Sequence, residues 1–193
     1  MQHRLTLREV RVWSGGLEGQ IRASWGPAYV SFFDTRFVID RAQYVADQDY
    51  DFFPAGIAYG AGPAAKHERQ IEQNADVVAW MNRNLEEGEK PHERQVTIGT
   101  EGAALLMPLP EWDVDDYGFH GPVKSVSEFE DWLGQSGWRV RTTVMRDGDE
   151  DFDLDIDITA RAWSGGAPPQ VGADIEGNLW LQGHLWRPAV GRR

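Results

Sequence analysis

The chain contains no cysteine, which excludes disulfide bridges, thiolate-ligated zinc and thiol nucleophiles. It has no uninterrupted apolar run near the ~18 residues that a membrane-spanning helix needs. Residues 1–9 carry charges where a signal peptide would carry its apolar stretch. Cations are scarce: 19 Lys and Arg stand against 31 Asp and Glu, a formal charge of −12. Such a field repels nucleic-acid phosphate and anionic membrane and favours a cationic partner. Phosphate-cradling glycine loops, a nucleophile elbow and a paired-histidine zinc helix are all missing from the sequence. The histidines His3, His67, His92, His120 and His184 lie without metal-ligand spacing. These absences lead to the expectation of a soluble cytoplasmic protein with no cofactor, no metal, no membrane attachment and no nucleic-acid partner.

Aromatic material is abundant, with nine Trp, eight Phe and five Tyr, and 41% of residues are hydrophobic. That is ample for a core, so a disordered chain is not expected. Short segments of β character separated by glycine turns fill residues 4–62: Thr6–Trp13, Gly19–Trp25, Ala28–Phe33, Arg36–Ile39 and Tyr50–Tyr59. Pro54 inside the last implies an edge position or a bulge. Ile71, Ala75, Val78, Met81 and Leu85 recur at helical intervals, which predicts one amphipathic helix at about 64–87, stopped by Gly88 and Pro91. Strands resume at Gln95–Gly99 and Ala103–Met107, then at Gly121–Val126, Trp138–Arg146, Asp151–Ala162 and Asp174–Trp186. Ser127 with Glu130 has the spacing of a capping box, which suggests a helical turn over Ser127–Leu133. The proline- and acid-bearing stretch Pro108–Gly118 is the natural boundary between a β-module at 1–110 and a second at 111–193, the two able to pack as a single domain.

The strongest local signal is Asp151-Phe152-Asp153-Leu154-Asp155-Ile156-Asp157-Ile158. Strict alternation makes it a half-buried strand with four carboxylates on one face and four apolar side chains on the other. Carboxylates two residues apart sit ~6.8 Å from one another, and each neighbouring pair repels by ~0.6 kcal/mol in water or ~2.4 kcal/mol at an effective dielectric of 20. The row therefore needs positive partners. Arg139 and Arg141 precede it across Asp147-Gly148. A two-residue loop would set Val140 and Val144 beside the acids, and a slip of one residue exchanges the faces. The expected register puts Arg139, Arg141 and Thr143 beside the aspartates through an odd-numbered loop with a glycine bulge. Flat strands keep carboxylates apart, which disfavours calcium.

Two other stretches are distinctive. Tyr29–Phe37 mixes aromatics with one Asp and one Arg. Leu179–Trp186 places Trp180, Gln182, His184 and Trp186 on one face and Leu179, Leu181 and Leu185 on the other. The first face is either a recognition surface or the surface that the predicted helix covers. Arg11–Gly16 and Arg161–Gly166 share an Arg-apolar-Trp-Ser-Gly-Gly pattern, each followed by an apolar-Glu-Gly-amide-apolar run, as in two related modules or a shared barrel corner. The alternation of short strands and glycine turns resembles a small barrel of the OB or a related type. A non-enzymatic acidic binding protein is the expectation, of the kind of an inhibitor or immunity partner of a basic protein, recognising it through Asp151, Asp153, Asp155, Asp157, Trp180, Gln182, His184 and Trp186. The alternative is a small-ligand barrel or a carboxylate-dependent hydrolase.

Overall fold

The computed structural model describes residues 1–65, 68–72, 95–132 and 134–187. In chain order it holds β1 (His3–Val12), β2 (Gly19–Trp25), β3 (Ala28–Asp34), α1 (Phe37–Asp40), β4 (Asp49–Phe52), β5 (Ala55–Pro63), β6 (Glu68–Glu72) and β7 (Gln95–Gly99). Five more strands follow: β8 (Leu105–Pro108), β9 (Asp116–Trp132), β10 (Gln135–Asp147), β11 (Glu150–Thr159) and β12 (Asp174–Gly183). The fold is mainly β, as the sequence implied. Its described parts form two units, one from residues 1–64 and 103–193 and one from 65–102.

The larger unit is a ten-stranded sheet in the order β4-β1-β2-β3-β12-β5-β11-β10-β9-β8, and β12 also pairs with β9. That extra pairing closes β12, β5, β11, β10 and β9 into a five-stranded barrel. All pairs in the ring are antiparallel except β5 with β11. Because β5 lies between β11 and β12, the chain on both sides of residue 110 contributes to one barrel. The two Trp-Ser-Gly-Gly stretches also differ in context. The first turns β1 into its neighbour β2, whereas the second lies in the connection from β11 to β12, which are not adjacent.

Alternation sets what fills the barrel. Phe152, Leu154, Ile156 and Ile158 point inward with Val140, Val144, Leu179 and Leu181, all fully buried. The same apolar cluster continues under the flanking strands through Leu5, Leu7, Ile21, Val30, Phe32 and Phe52. At ~1.5–3 kcal/mol for each large side chain removed from water, this continuous core dominates the stability of the unit. Thr142 is a polar residue inside, and its Oγ1–H donates to the Pro122 carbonyl at 2.9 Å.

Closure depends on residues without side chains. Gly121 of β9 sits opposite Ile175 of β12, and a Cβ there would lie 1.9 Å from the Thr143 carbonyl oxygen. Gly177 sits opposite Phe119, and its Cβ would meet the Gly60 carbonyl oxygen at 2.2 Å. Glycine inside a strand marks such close approach of backbones.

The β10–β11 hairpin corrects the expected loop. Asp147 pairs with Glu150, so the loop is the two residues Gly148 and Asp149, with Gly148 at φ +57°. The one-residue shift arises instead inside β10, where Thr143 pairs with Asp153 and Met145 with Phe152, leaving Val144 as a bulge. An even loop plus one bulged residue has the parity of an odd loop, so the faces are those expected. Arg139 stands opposite Asp157 and Arg141 opposite Asp155.

Four other expectations change. Residues 68–72 of the predicted helix form a strand, with Ile71 opposite Val96, because pairing with Gln95–Gly99 outweighs weak local propensity. Residues 66–67 and 73–87 of that helix lie outside the described residues. Ser127–Leu133 does not wind as far as it is described: β9 runs through to Trp132, held against β10 by pairs such as Arg139 with Ser127. Arg36–Ile39 is not a strand but the entry to α1. Finally, Tyr50–Tyr59 splits into β4 and β5 around Phe53 and Pro54, where proline interrupts the ladder.

Candidate binding site: a paired carboxylate row and an aromatic cleft

The four aspartates lie on the outer face of β11, each met by a cation. Arg139 grips Asp157 with two hydrogen bonds of 2.8 and 2.9 Å, and Arg141 grips Asp155 with two of 2.8 and 3.1 Å. Such forked contacts are the strongest form of the guanidinium–carboxylate pair. The N-terminal ammonium donates to Asp155 at 3.2 Å. Lys124 reaches from β9 across β10 to Asp151 at 2.8 Å and Asp153 at 2.9 Å, and Arg146 adds a contact to Asp151 at 3.2 Å. Asp153 is the most enclosed of the four, 5% exposed, and also accepts from the Thr143 hydroxyl at 2.8 Å. The row is a braced ladder across three strands. Arginines opposite the acids were legible in the sequence, but Lys124 was not, because nothing local ties it to a strand two places away.

Trp180, Gln182 and His184 do face outward while Leu179, Leu181 and Leu185 face in. Beyond that the row divides. Trp180 packs on Phe33 with ring centres 5.3 Å apart, and its indole N–H donates to Asp115 at 3.0 Å. His184 stacks on Phe53 at 5.6 Å, and Trp186 is 40% exposed. Asp155, Asp157, Gln182 and His184 line one shallow cavity of about 410 Å³ with Arg139 and Phe53, whereas Asp151, Asp153, Trp180 and Trp186 lie outside it.

A second cavity, about 440 Å³, was not anticipated. Its floor is the outer face of β1–β3. Register places Glu9, Arg22 and Ser31 in one row across the three strands and Arg11, Gln20 and Phe33 in the next. The stretch Pro108–Val114 folds over this face as a roof, carrying Trp112 and Asp113. Two turns shape the roof: Trp112 N–H donates to the Leu109 carbonyl, and Asp116 N–H to the Asp113 carbonyl. Tyr117 closes one end, its hydroxyl accepting from the Ser31 N–H at 2.7 Å. Tyr29 and Trp112 are both more than half exposed at the mouth. Arg22 lies over the Tyr29 ring, 4.9 Å from its centre. Neither Arg11 nor Arg22 forms a salt bridge with a described residue, although Arg8, Arg139, Arg141 and Arg146 all do.

Behind the cleft, Asp115 is 3% exposed and holds both the Gln20 amide N–H, at 3.1 Å, and Trp180. Asp116 accepts from the Tyr59 hydroxyl at 2.7 Å, and the Tyr59 ring lies 5.4 Å from Trp112. Burial and the Asp116 carboxylate push the Tyr59 phenol up, so it stays a donor. A separate buried pair, Asp34 and Asp40, faces the Tyr44 hydroxyl and Arg187 respectively. Burial pushes the Asp34 carboxyl up.

These surroundings give stability a pH dependence of definite sign. His3, stacked 4.0 Å above Phe152, is held below the usual imidazole value chiefly by burial, and so is His184. Lys124 pulls the Asp151 carboxyl down. Burial raises the Asp155 carboxyl, but Arg141 and the N-terminal ammonium outweigh it and the net shift is downward. A histidine with a depressed folded pKa costs stability as pH falls below its unfolded value of ~6.5. The depressed aspartates contribute stability that is complete above ~3.9 and lost as pH falls through their folded values. Asp34, being raised, runs the other way. Urea unfolding should therefore show stability falling between pH 7 and 5 and again below about pH 4. A midpoint that rises on acidification to pH 5 would contradict the histidine assignments.

Among the described residues no helix is long and apolar enough to cross a membrane, and no group of three or more His, Asp or Glu is placed to hold a metal ion. Comparison with protein-family models, curated proteins and solved structures finds no match. The barrel and the cleft on its flanking sheet thus define the molecule by architecture and site chemistry alone.

Proposed function

We propose that this chain is a non-enzymatic binding protein of OB-like architecture acting in the cytoplasm, and that its recognition site is the cleft between β1–β3 and Pro108–Val114. One observation carries the reading: two guanidiniums without salt-bridge partners among the described residues face the same cavity as three aromatic rings. Trp, Tyr and Arg are the residues that concentrate binding energy at recognition sites, and 440 Å³ falls in the range of small-molecule and peptide sites. An acidic docking surface for a basic protein would have drawn on Asp151–Asp157, but five cationic groups already hold those carboxylates. The strand number matches that of an OB barrel, which is an analogy of architecture and carries no function.

The test is a thermal-melting screen against a library of polar metabolites and short peptides. A guest at about 100 times its Kd stabilises by ~2.7 kcal/mol, a shift of about 5–10 °C for a domain of this size. At least one compound should give such a shift, and Arg11→Ala with Arg22→Ala should abolish it. Shifts unchanged in that double variant would sink the assignment of the cleft.

A further inference from the structure

Resting on the cleft as the binding site, we infer that its guest is a small zwitterion with an apolar side chain, of the α-amino acid or dipeptide class. Three features of the cavity converge on this chemistry.

The first is balanced charge. Arg11 and Arg22 face the cavity with Glu9 and Asp113. Glu9 and Arg22 are direct cross-strand neighbours, yet no salt bridge closes between them, and Arg22 lies over Tyr29 instead. Both signs are thus presented to a guest. A free anion would reach the arginines only against the field of a chain of charge −12, whereas a zwitterion carries no net charge for that field to repel.

The second is an orphaned acceptor. Gln20 is 4% exposed, and its Oε1 has no hydrogen-bond partner among the described residues. Its amide N–H is committed to the Asp115 carboxylate, which can only accept, so the orientation of the amide is fixed. Leaving a buried acceptor unpaired is costly, because the water it gave up on folding is not replaced. Oε1 is closed to solvent, so an N–H from an ammonium or a peptide amide pairs with it only by displacing the atoms that cover it.

The third is the wall. Tyr29, Trp112 and Leu109 offer apolar surface beside the charged groups. The arrangement thus provides a place for a carboxylate at the arginines, for an amine or amide at Gln20 with Glu9 and Asp113, and for a side chain against the rings.

The experiment is a titration of the ¹⁵N-labelled full chain with three probes: glycyl-phenylalanine, its N-acetylated form, which is only anionic, and its C-terminal amide, which is only cationic. The zwitterion should shift the Arg11, Gln20 and Arg22 amides and the Trp112 indole, with a Kd at least tenfold below that of either capped form. Arg22→Lys, an exposed substitution that keeps the charge but not the fork, should weaken it several-fold while the spectrum remains that of the folded chain. Equal or tighter binding of a capped form at these residues would overturn the zwitterion and leave the cleft standing. Shifts confined to other residues, or none with any probe, would overturn the zwitterion too. Joined to a blank melting screen, that last result would overturn the cleft as well.

Discussion

Gly121→Val should leave the chain without its barrel. A side chain at this position points inside, where its first carbon would lie 1.9 Å from the backbone oxygen of Thr143. Rotamer changes cannot relieve the clash, because the obstacle is main chain and the offending atom is the Cβ itself. Either β9 moves away from β10, or β12 loses Ile175 from its place opposite residue 121. Overpacking of a core usually costs ~1–3 kcal/mol. A collision with backbone at the seam that closes a barrel should exceed ~4 kcal/mol, a large share of the 5–15 kcal/mol typical of a folded domain. The expected result is insoluble protein, or a soluble chain without dispersed amide resonances. Gly166→Ala is the control: its Cβ meets nothing within 4 Å and its φ is not positive, so its melting should stay within about 2 °C of the parent. A Gly121→Val protein that melts as the parent does would show that the seam is looser than described.

Sequence reading succeeded where a signal was local. The alternation at 151–158 was enough to orient those eight side chains of β11, and glycine turns marked the ends of β1, β2 and β10. It failed where the outcome depended on a distant partner. Residues 68–72 wind or extend according to whether Gln95–Gly99 lies beside them, and no pattern within 64–87 contains that fact. Ser127 and Glu130 have cap spacing, but Ser127 is drawn into a ladder with Arg139 of β10 instead. The cleft was the hardest to foresee. Arg11, Gln20 and Arg22 come together only through the register of β1 and β2, and Pro108–Val114 is indistinguishable from a linker until it lies across that face. Gly121 and Gly177 inside strand patterns were the available hint of close backbone approach. The loop parity of the β10–β11 hairpin shows the same limit, since an even loop with a bulge and an odd loop without one place the same side chains outward.

A row of four aspartates can be an exposed negative surface, held apart from a partner until one binds, or a brace already filled by the chain's own cations. The geometry favours the brace. Each carboxylate has a cation within 3.2 Å, and its neighbours along the strand are ~6.8 Å away. Coulomb attraction at the shorter distance is about twice the repulsion at the longer one. Exposed pairs are worth only ~0.2–1 kcal/mol each after screening, but Asp153 is enclosed, and the two forked arginine pairs are geometrically restrained. Together the four should contribute about 2–5 kcal/mol.

Replacing Asp151, Asp153, Asp155 and Asp157 by asparagine preserves volume and removes charge, so the two readings differ in sign. In a chain of charge −12, a free acidic surface would be relieved by the change and the protein would melt higher. The melting temperature of the fourfold variant at low ionic strength is the deciding measurement. The brace predicts a fall of about 5–15 °C, and an unchanged or raised melting temperature would contradict it.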